Sequence, residues 1–242
     1  MIRLKNLLKY ELKKMYSTKA IYVCLIITIF LSAFGAYIYI QGGTDTTFEG
    51  LLVSAIPSSG FDLVLTALIP LMVCEEFSSG MMKMIVGKGY PREGIFVTKL
   101  IMAFLYTILL SLGCLITGFV AGLIAGYQLF FTGRAAVVIL LQILTMLVIG
   151  VMSLTISILF RKKSLSLVVS MLSPSLIQLL LVPIDKLIGK ISISSYWVAD
   201  FMMSLSDISA GKEKLVCVLI FTILYIVIFW LIGFFVNRTV DY

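Results

Sequence analysis

Long runs of apolar residues are the feature that most restricts the fold of this chain. A hydrocarbon core about 30 Å thick is crossed by a helix of roughly 20 apolar residues. Backbone groups in lipid must find their hydrogen bonds within the segment, which favours helices. The 242 residues are 61% hydrophobic and 13% charged, a balance too apolar for an ordinary soluble domain. We therefore predict an all-α polytopic membrane protein.

Six runs are long enough to cross, and they divide the chain into two parts. Residues 1–19 form a basic segment, and residues 20–242 form a transmembrane domain of six helices. The predicted spans, in chain order, are residues 20–40, 56–74, 95–126, 135–160, 165–184 and 215–236. Pro57, Asp62 and Pro70 interrupt the second run. An even number of spans places both termini on the same side.

The distribution of Lys and Arg predicts which side that is. Fourteen of the nineteen basic residues lie in the amino-terminal segment, in the loops after spans two and four with their flanks, and in the carboxyl tail. Cytoplasmic segments carry this excess, so we expect both termini in the cytosol. The net charge of +7 then follows from topology and does not indicate a nucleic-acid partner. We expect the first span to be retained, because residues 41–43 do not form a cleavage site.

Several chemistries are excluded by residue type. The chain has no histidine, which removes histidine-dependent catalysis, histidine-ligated metals and histidine proton relays. The cysteines lack CxxC spacing and are expected to be small buried hydrophobes; they are Cys24, Cys74, Cys114 and Cys217. Gly80, Gly87 and Lys88 do not form a phosphate-binding loop, because Gly89 follows the lysine where Ser or Thr is needed. We expect no metal, no cofactor and no ATPase site in this chain.

The amino-terminal segment has the periodicity of an amphipathic helix. At about 100° per residue, its apolar side chains fall within an arc of about 140°; they are Leu4, Leu7, Leu8, Leu12 and Met15. Lysines line another flank, so we expect the helix to lie in the inner membrane interface. Glu11 falls within the apolar arc, where it either pairs with Lys14 at i+3 or faces a protein partner.

The loop of residues 75–94, between spans two and three, is long for a connection within a helical bundle. It contains a predicted short helix, residues 77–86, followed by a glycine-rich turn. A long inner loop with a short helix is typical of a docking element.

Two outer segments also carry distinctive residues. Residues 185–213 are apolar but too short to span, and we predict a re-entrant-like segment there with Tyr196 and Trp197 at headgroup level. Asp200 interrupts this segment. Asp62 is expected near the outer end of span two, where a charge costs less than at mid-bilayer.

Small residues and scarce charges characterise the membrane interior. Gly118, Gly122 and Gly126 form a GxxxGxxxG stripe on span three, which permits close helix contact either inside the subunit or between subunits. The interior lacks the row of carboxylates expected of a proton- or sodium-driven carrier, which argues against secondary transport.

Together these elements resemble the permeases of type-2 ABC exporters, in particular small Firmicute-type subunits that export, or confer immunity to, peptide antibiotics and toxins. The resemblance covers nearly the whole chain as architecture, with one local pattern in the inner loop. That pattern corresponds here to Glu75 or Glu76, Gly80, Lys83, Pro91, Arg92 and Lys99. Lys83 and Met84 depart from the commoner residues, so no exact subfamily is supported.

The resemblance implies a mechanism and a set of partners. The protein would be a multi-pass subunit of a bacterial cytoplasmic membrane, paired with a second permease, identical or paralogous. Separate ATPase subunits would bind ATP and Mg²⁺ and grip the inner loop as a coupling helix. Charged anchors for this contact would be Glu75, Glu76, Lys83 and Arg92 around Gly80, with Glu11 on the adjacent helix. The cargo would be hydrophobic or amphipathic.

Three other classes of protein compete with this interpretation. A CAAX-type intramembrane protease needs histidines that the chain lacks. The substrate-capturing membrane subunit of a vitamin transporter has a similar size but needs no basic amino-terminal helix or long docking loop. A non-transporting immunity or accessory membrane protein needs no ATPase. Co-purification of an ATPase, of a small molecule or of neither would separate these possibilities.

Overall fold

A computed structural model of the chain describes residues 2–42, 47–188, 193–206 and 211–239. No residue in those ranges lies in a β-strand, which confirms the all-α class. The helices in the described ranges are α1 Ile2–Ser17, α2 Lys19–Gly42, α3 Phe48–Ala55, α4 Phe61–Ser78, α5 Met81–Gly87, α6 Arg92–Ile124, α7 Gly133–Phe160, α8 Lys163–Ile188, α9 Val198–Ser204 and α10 Lys212–Thr239. Short 3-10 helices occupy Pro57–Ser59 and Ile193–Tyr196.

Five of the described helices are long and apolar enough to cross a membrane, namely α2, α6, α7, α8 and α10. They correspond to every predicted span except the second. That span corresponds to α4, whose 18 residues include the carboxylates of Asp62, Glu75 and Glu76. A membrane crossing by α4, and with it the number six, stays a prediction.

The second predicted span begins later than its sequence indicates. α4 starts at Phe61 instead of residue 56, because Pro57 opens a 3-10 helix and Gly60 follows it with a φ of 57°. Glycine adopts this left-handed conformation at no steric cost, and the helix is interrupted there. The interior proline, Pro70, is accommodated within α4.

Part of the predicted first outer loop, residues 41–55, is a buried helix. α3 begins after Thr47, whose hydroxyl accepts a hydrogen bond from the Gly50 amide at 3.1 Å and caps the helix. Most of its side chains are buried, including Phe48, Leu51, Leu52, Val53 and Ala55. α3 therefore belongs to the core of the bundle.

α7 lies at the centre of the bundle and packs against α4, α6, α8 and α10. Its apolar stretch is 72% buried, against 17% for α8 and 11% for α10. A small residue permits this central position, since a Cβ at Gly150 would lie 3.2 Å from Thr107 Oγ1 and 3.4 Å from Ile69 Cδ1. α8 and α10, in contrast, have long apolar faces that the described residues leave uncovered.

The three glycines of the stripe on α6 have two different structural roles. A Cβ at Gly118 would lie 3.0 Å from the Ala55 Cβ, and one at Gly122 would lie 2.7 Å from the Phe48 ring. These two glycines therefore let α3 approach α6 closely. Gly126 is different, because it follows the end of α6 with a φ of 75° and nothing lies within 4 Å of its Cβ position.

The bundle has two distinguishable ends. α1, α5, the turn between α7 and α8 and the end of α10 lie together at what we call the basic end. α3, the amino-terminal half of α10 and the segment 193–206 lie at the opposite end. That the basic end faces the cytosol stays a prediction from the charge distribution.

Candidate functional site

One face of α1 is packed against the basic end of the bundle. Leu7, Glu11 and Met15, spaced four residues apart, are buried, and α1 contacts α6. The opposite flank is exposed and carries Lys5, Lys9 and Lys13. Leu7 and Met15 of the apolar arc therefore face protein, and the location of α1 in the membrane interface stays a prediction.

Four charged side chains meet under α1 and form what we call the charge cluster: Glu11 and Lys14 from α1, Glu76 from α4 and Lys99 from α6. The Lys99 Nζ lies 2.5 Å from Glu11 Oε1 and 2.5 Å from Glu76 Oε2. The Lys14 Nζ lies 2.7 Å from Glu76 Oε1 and donates to the carbonyl oxygen of Met72 at 3.0 Å. The side chains are 4%, 1%, 5% and 14% exposed for Glu11, Glu76, Lys99 and Lys14 respectively.

The charge cluster is electrically balanced, with two carboxylates and two ammonium groups. Removing ions from water is costly, so such a group is tolerated only where each charge has a partner. Burial raises the pKa of Glu11, and the ammonium group of Lys99 opposes this only in part. The cluster therefore connects α1, α4 and α6 through contacts that depend on every member.

The structure places two of the predicted ATPase-contacting residues inside this cluster. Glu11 and Glu76 are both buried, so neither carboxylate is exposed on the surface of this chain. Glu11 forms its ion pair with Lys99 rather than with the i+3 residue Lys14. Lys99 belongs to the inner-loop pattern of the resemblance and Lys14 is the i+3 candidate partner of Glu11, but neither is among the predicted contacts with the ATPase. Glu11 lies in an apolar arc and Lys99 in an apolar run, and each buried charge needs an opposite charge. This shared need is the sequence feature that could have predicted their ion pair.

The short helix predicted in the inner loop is α5, with a later start. Residues 77 and 78 belong to α4, and α5 begins at Met81 because Gly80 makes a left-handed turn with a φ of 69°. Met82 is buried in a small apolar cluster with Leu7 of α1 and Ile95 of α6. α5 is therefore fastened by its inner face to the same helices that the charge cluster joins.

The outer face of α5 is open to solvent. Lys83 and Met84 are exposed there, Lys88 is exposed directly after the helix, and Met84 retains 58% of its accessible surface. Glu75 and Gly80 are also exposed, at the end of α4 and in the turn after it. A groove of about 490 Å³ separates α5 from the turn between α7 and α8. Its cationic side chains are Lys83, Arg161, Lys162 and Lys163.

Arg92 lies at the start of α6 beside the end of α10. Its Nη1 donates to the carbonyl oxygen of Arg238 at 3.2 Å, and its own carbonyl accepts from Asn237 Nδ2 at 2.9 Å. Arg238 forms an ion pair with Glu93 at 2.5 Å, and these two side chains are 57% and 51% exposed. Arg92 therefore takes part in the contact between α6 and α10.

At the opposite end, the two predicted headgroup aromatics contact protein. Trp197 is 4% exposed, and its Nε1 donates to the carbonyl oxygen of Pro174 at 2.9 Å. The ring of Trp197 is therefore enclosed by the chain, and its position at headgroup level stays a prediction. Tyr196 is half-buried, and its carbonyl accepts from the Tyr225 hydroxyl at 3.1 Å.

The predicted outer segment, residues 185–213, is partly described. It comprises the end of α8, the 3-10 helix, α9 and the start of α10, while residues 189–192 and 207–210 lie outside the described residues. Asp200 Oδ1 accepts a hydrogen bond from Gln178 Nε2 at 3.2 Å. Asp62 lies in the first turn of α4 and is partly exposed.

Residues 7–173 match the family model described as ABC-2 family transporter protein. The match covers well over half of the chain and includes the whole charge cluster and α5. The chain belongs to the ABC-2 transporter family. Its members are membrane components of ABC transporters, which lack an ATPase of their own and generally work with an ABC ATPase. No curated protein matches the sequence.

Metal binding has no support in the part of this ABC-2 protein that the structure describes. Within that part, no three His, Cys, Asp or Glu side chains group in a way that could hold an ion. The cysteines are free thiols; Cys24, Cys74 and Cys114 are buried and Cys217 is half-buried.

Proposed function

We propose that this ABC-2 permease exports a hydrophobic or amphipathic substrate, such as an antimicrobial or toxin peptide, across a bacterial cytoplasmic membrane. Separate ATPase subunits, which would hold ATP and Mg²⁺, drive the transport. The observation that carries the proposal is the exposed outer face of α5, a helix whose inner face is fastened to α1 and α6. Family membership favours this function over a vitamin-capturing subunit or a non-transporting accessory protein.

In this proposal α5 is the coupling helix. Met82 attaches it to Leu7 and Ile95, and the charge cluster joins α1 to α4 and α6 a short distance away. A displacement of α5 by the ATPase would therefore move these helices together. Glu11 and Glu76 act by holding the helices in register, and the contact with the partner falls to the exposed residues Lys83 and Met84.

The positive charge of the basic end indicates what kind of ATPase surface would bind α5. Lys83 is exposed on α5 and Lys88 directly after it, and three further basic residues follow one another at 161–163 across the groove. An acidic groove on the ATPase would complement them, since complementary charges favour encounter and exclude wrong partners. The apolar faces left by α8 and α10 would be covered by lipid and by a second permease subunit, identical or paralogous.

The test is purification of the full chain from its native membranes in a mild detergent. We expect an ABC ATPase to co-purify with the wild type. The triple variant Lys83→Glu, Met84→Asp, Lys88→Glu should retain at most a tenth of that ATPase, because it reverses the charge of the docking face. The control Lys212→Glu, Lys214→Glu changes exposed lysines at the opposite end and should retain all of it.

Two results would contradict the proposal. One is a wild-type preparation that contains no ABC ATPase, whether or not it contains a tightly held small molecule. The other is equal recovery of the ATPase with the triple variant and with the control. Thermal unfolding of each purified variant establishes that lost binding does not come from lost folding.

A further inference from the structure

A cavity of about 660 Å³ lies at the opposite end of the bundle, between α4, α7, α8 and α9. Its volume falls within the range of about 300–1,000 Å³ that is usual for small-molecule sites. The exposed outer face of α5 is at the other end of the bundle, so the cavity belongs to a separate part of the molecule. Its lining includes apolar side chains, a few polar groups and one carboxylate.

The carboxylate is that of Asp62. Among the residues that line the cavity in the described part of the chain, Asp62 is the only one with a charge. The ion pairs found among the described residues all lie at the basic end and do not include it. The positive end of the α4 dipole favours a carboxylate in this first turn, but the dipole does not explain why the carboxylate borders a cavity.

A second carboxylate lies behind the cavity wall. Gln178 lines the cavity, and its Nε2 donates to Asp200 Oδ1 at 3.2 Å. The charge of Asp200 adds to that of Asp62, and no lysine or arginine is among the lining residues described. The local potential therefore disfavours anions and favours a cation.

The apolar part of the lining suits an adaptable ligand. Met146, Met202 and Met203 line the cavity, and methionine side chains are flexible and polarisable, as at surfaces that accept many ligands. A ligand that fills the cavity would thus place an apolar body against methionines and a positive charge near Asp62.

We propose that this cavity binds amphipathic organic cations, with Asp62 as the counter-charge, and that the exported cargo carries a positive charge next to an apolar moiety. This assignment of a substrate class rests on the proposed function. The binding itself needs neither ATP nor a partner, so it can be measured on the full chain alone.

Trp197 provides a reporter for the measurement. Its Nε1 donates to the carbonyl of Pro174, which lines the cavity. The chain has 2 tryptophans, so Trp230→Phe leaves Trp197 as the only one. The protein, in an uncharged detergent, is titrated with tetraphenylphosphonium and, separately, with tetraphenylborate, an anion of the same shape. We expect the cation to change Trp197 fluorescence with a Kd at least tenfold lower than that of the anion.

Asp62→Asn should raise the Kd of tetraphenylphosphonium at least tenfold and leave that of tetraphenylborate unchanged. Glu213→Gln is the matched control, because it removes an exposed carboxylate at the same end outside the cavity, and it should change neither Kd. Equal affinities of the wild type for both ions would overturn the assignment, and this comparison needs no variant. A change of less than twofold in Asp62→Asn would also overturn it. Charge-selective binding without any co-purifying ATPase would instead refute the proposed function and leave the cavity assignment standing.

Discussion

Lys99 is the member of the charge cluster whose loss should cost most. Its ammonium group contacts both carboxylates, at 2.5 Å each. In Lys99→Gln the two carboxylates would share the single cation of Lys14, which contacts only Glu76 directly. Breaking a buried ion pair by removing one partner typically costs about 3–5 kcal/mol, because a charge is left uncompensated. We expect the free energy of unfolding of Lys99→Gln to fall by about this amount.

An exposed ion pair of the same protein provides the control. Arg238 and Glu93 lie 2.5 Å apart, but both side chains are more than half exposed. Water screens such a pair, and its usual contribution is about 0–1 kcal/mol. Glu93→Gln should therefore change the free energy of unfolding several times less than Lys99→Gln, although the two ion-pair distances are equal.

The assay is SDS-induced unfolding of the purified protein, followed by tryptophan fluorescence. It compares the wild type with the single variants Lys99→Gln, Glu11→Gln and Glu93→Gln and with the double variant Glu11→Gln, Lys99→Gln. The double variant restores balance, with one carboxylate and one ammonium group. It should be more stable than Lys99→Gln alone, with an interaction energy of at least about 1 kcal/mol between the two sites. The electrostatic reasoning is refuted if the second substitution lowers the stability further.

Three further predictions test the packing of the bundle and the exposed face of α5. Gly122→Ala should destabilise the protein by about 1–3 kcal/mol, because the new Cβ would lie 2.7 Å from the Phe48 ring. Gly113→Ala is the control and should be near neutral in the same SDS titration, because the nearest atom to its Cβ would be 3.9 Å away. Gln142→Leu should cost about 1–3 kcal/mol for each backbone carbonyl that loses its donor, since Gln142 Nε2 donates to α3 at 2.8 Å and to the residue after α9 at 2.9 Å. Met84→Asp, on the exposed face of α5, should change the free energy of unfolding by no more than about 0.5 kcal/mol and should reduce the amount of ATPase recovered in the purification. If the variant is instead clearly destabilised, Met84 has a structural role.

The long helices could be predicted from the sequence because hydropathy is a local property. The sixth predicted span, residues 215–236, lies inside α10, and the first, residues 20–40, lies inside α2. The observed helix boundaries differ from the predicted ones where a single residue changes the direction of the backbone. Gly60 delays the start of α4 and Gly80 separates α4 from α5, each with a positive φ that the apolar pattern does not contain.

The contacts between helices could not be predicted in the same way. The periodicity of α1 identified Glu11 as anomalous, but its partner Lys99 is 88 residues away. Which helix faces meet depends on the packing of the whole bundle, and an amphipathic arc is equally compatible with lipid and with protein. The same ambiguity applies to Trp197, whose ring was as suitable for headgroups as for the interior that it occupies.

α4 connects the two regions to which we assign functions. Glu76 of the charge cluster and Asp62 of the cavity stand near its two ends, 14 residues and hence about 21 Å apart along a helix. An apolar contact between α1 and α4 would let the helices slide, whereas ion pairs of 2.5–2.7 Å hold one register. If a displacement of α5 reaches α4 through this register and changes the affinity of the cavity, thermodynamic linkage requires a ligand in the cavity to change the affinity for the ATPase by the same factor. The function of the buried charges would then be to fix the register of α4, so that a movement at its Glu76 end is transmitted to its Asp62 end.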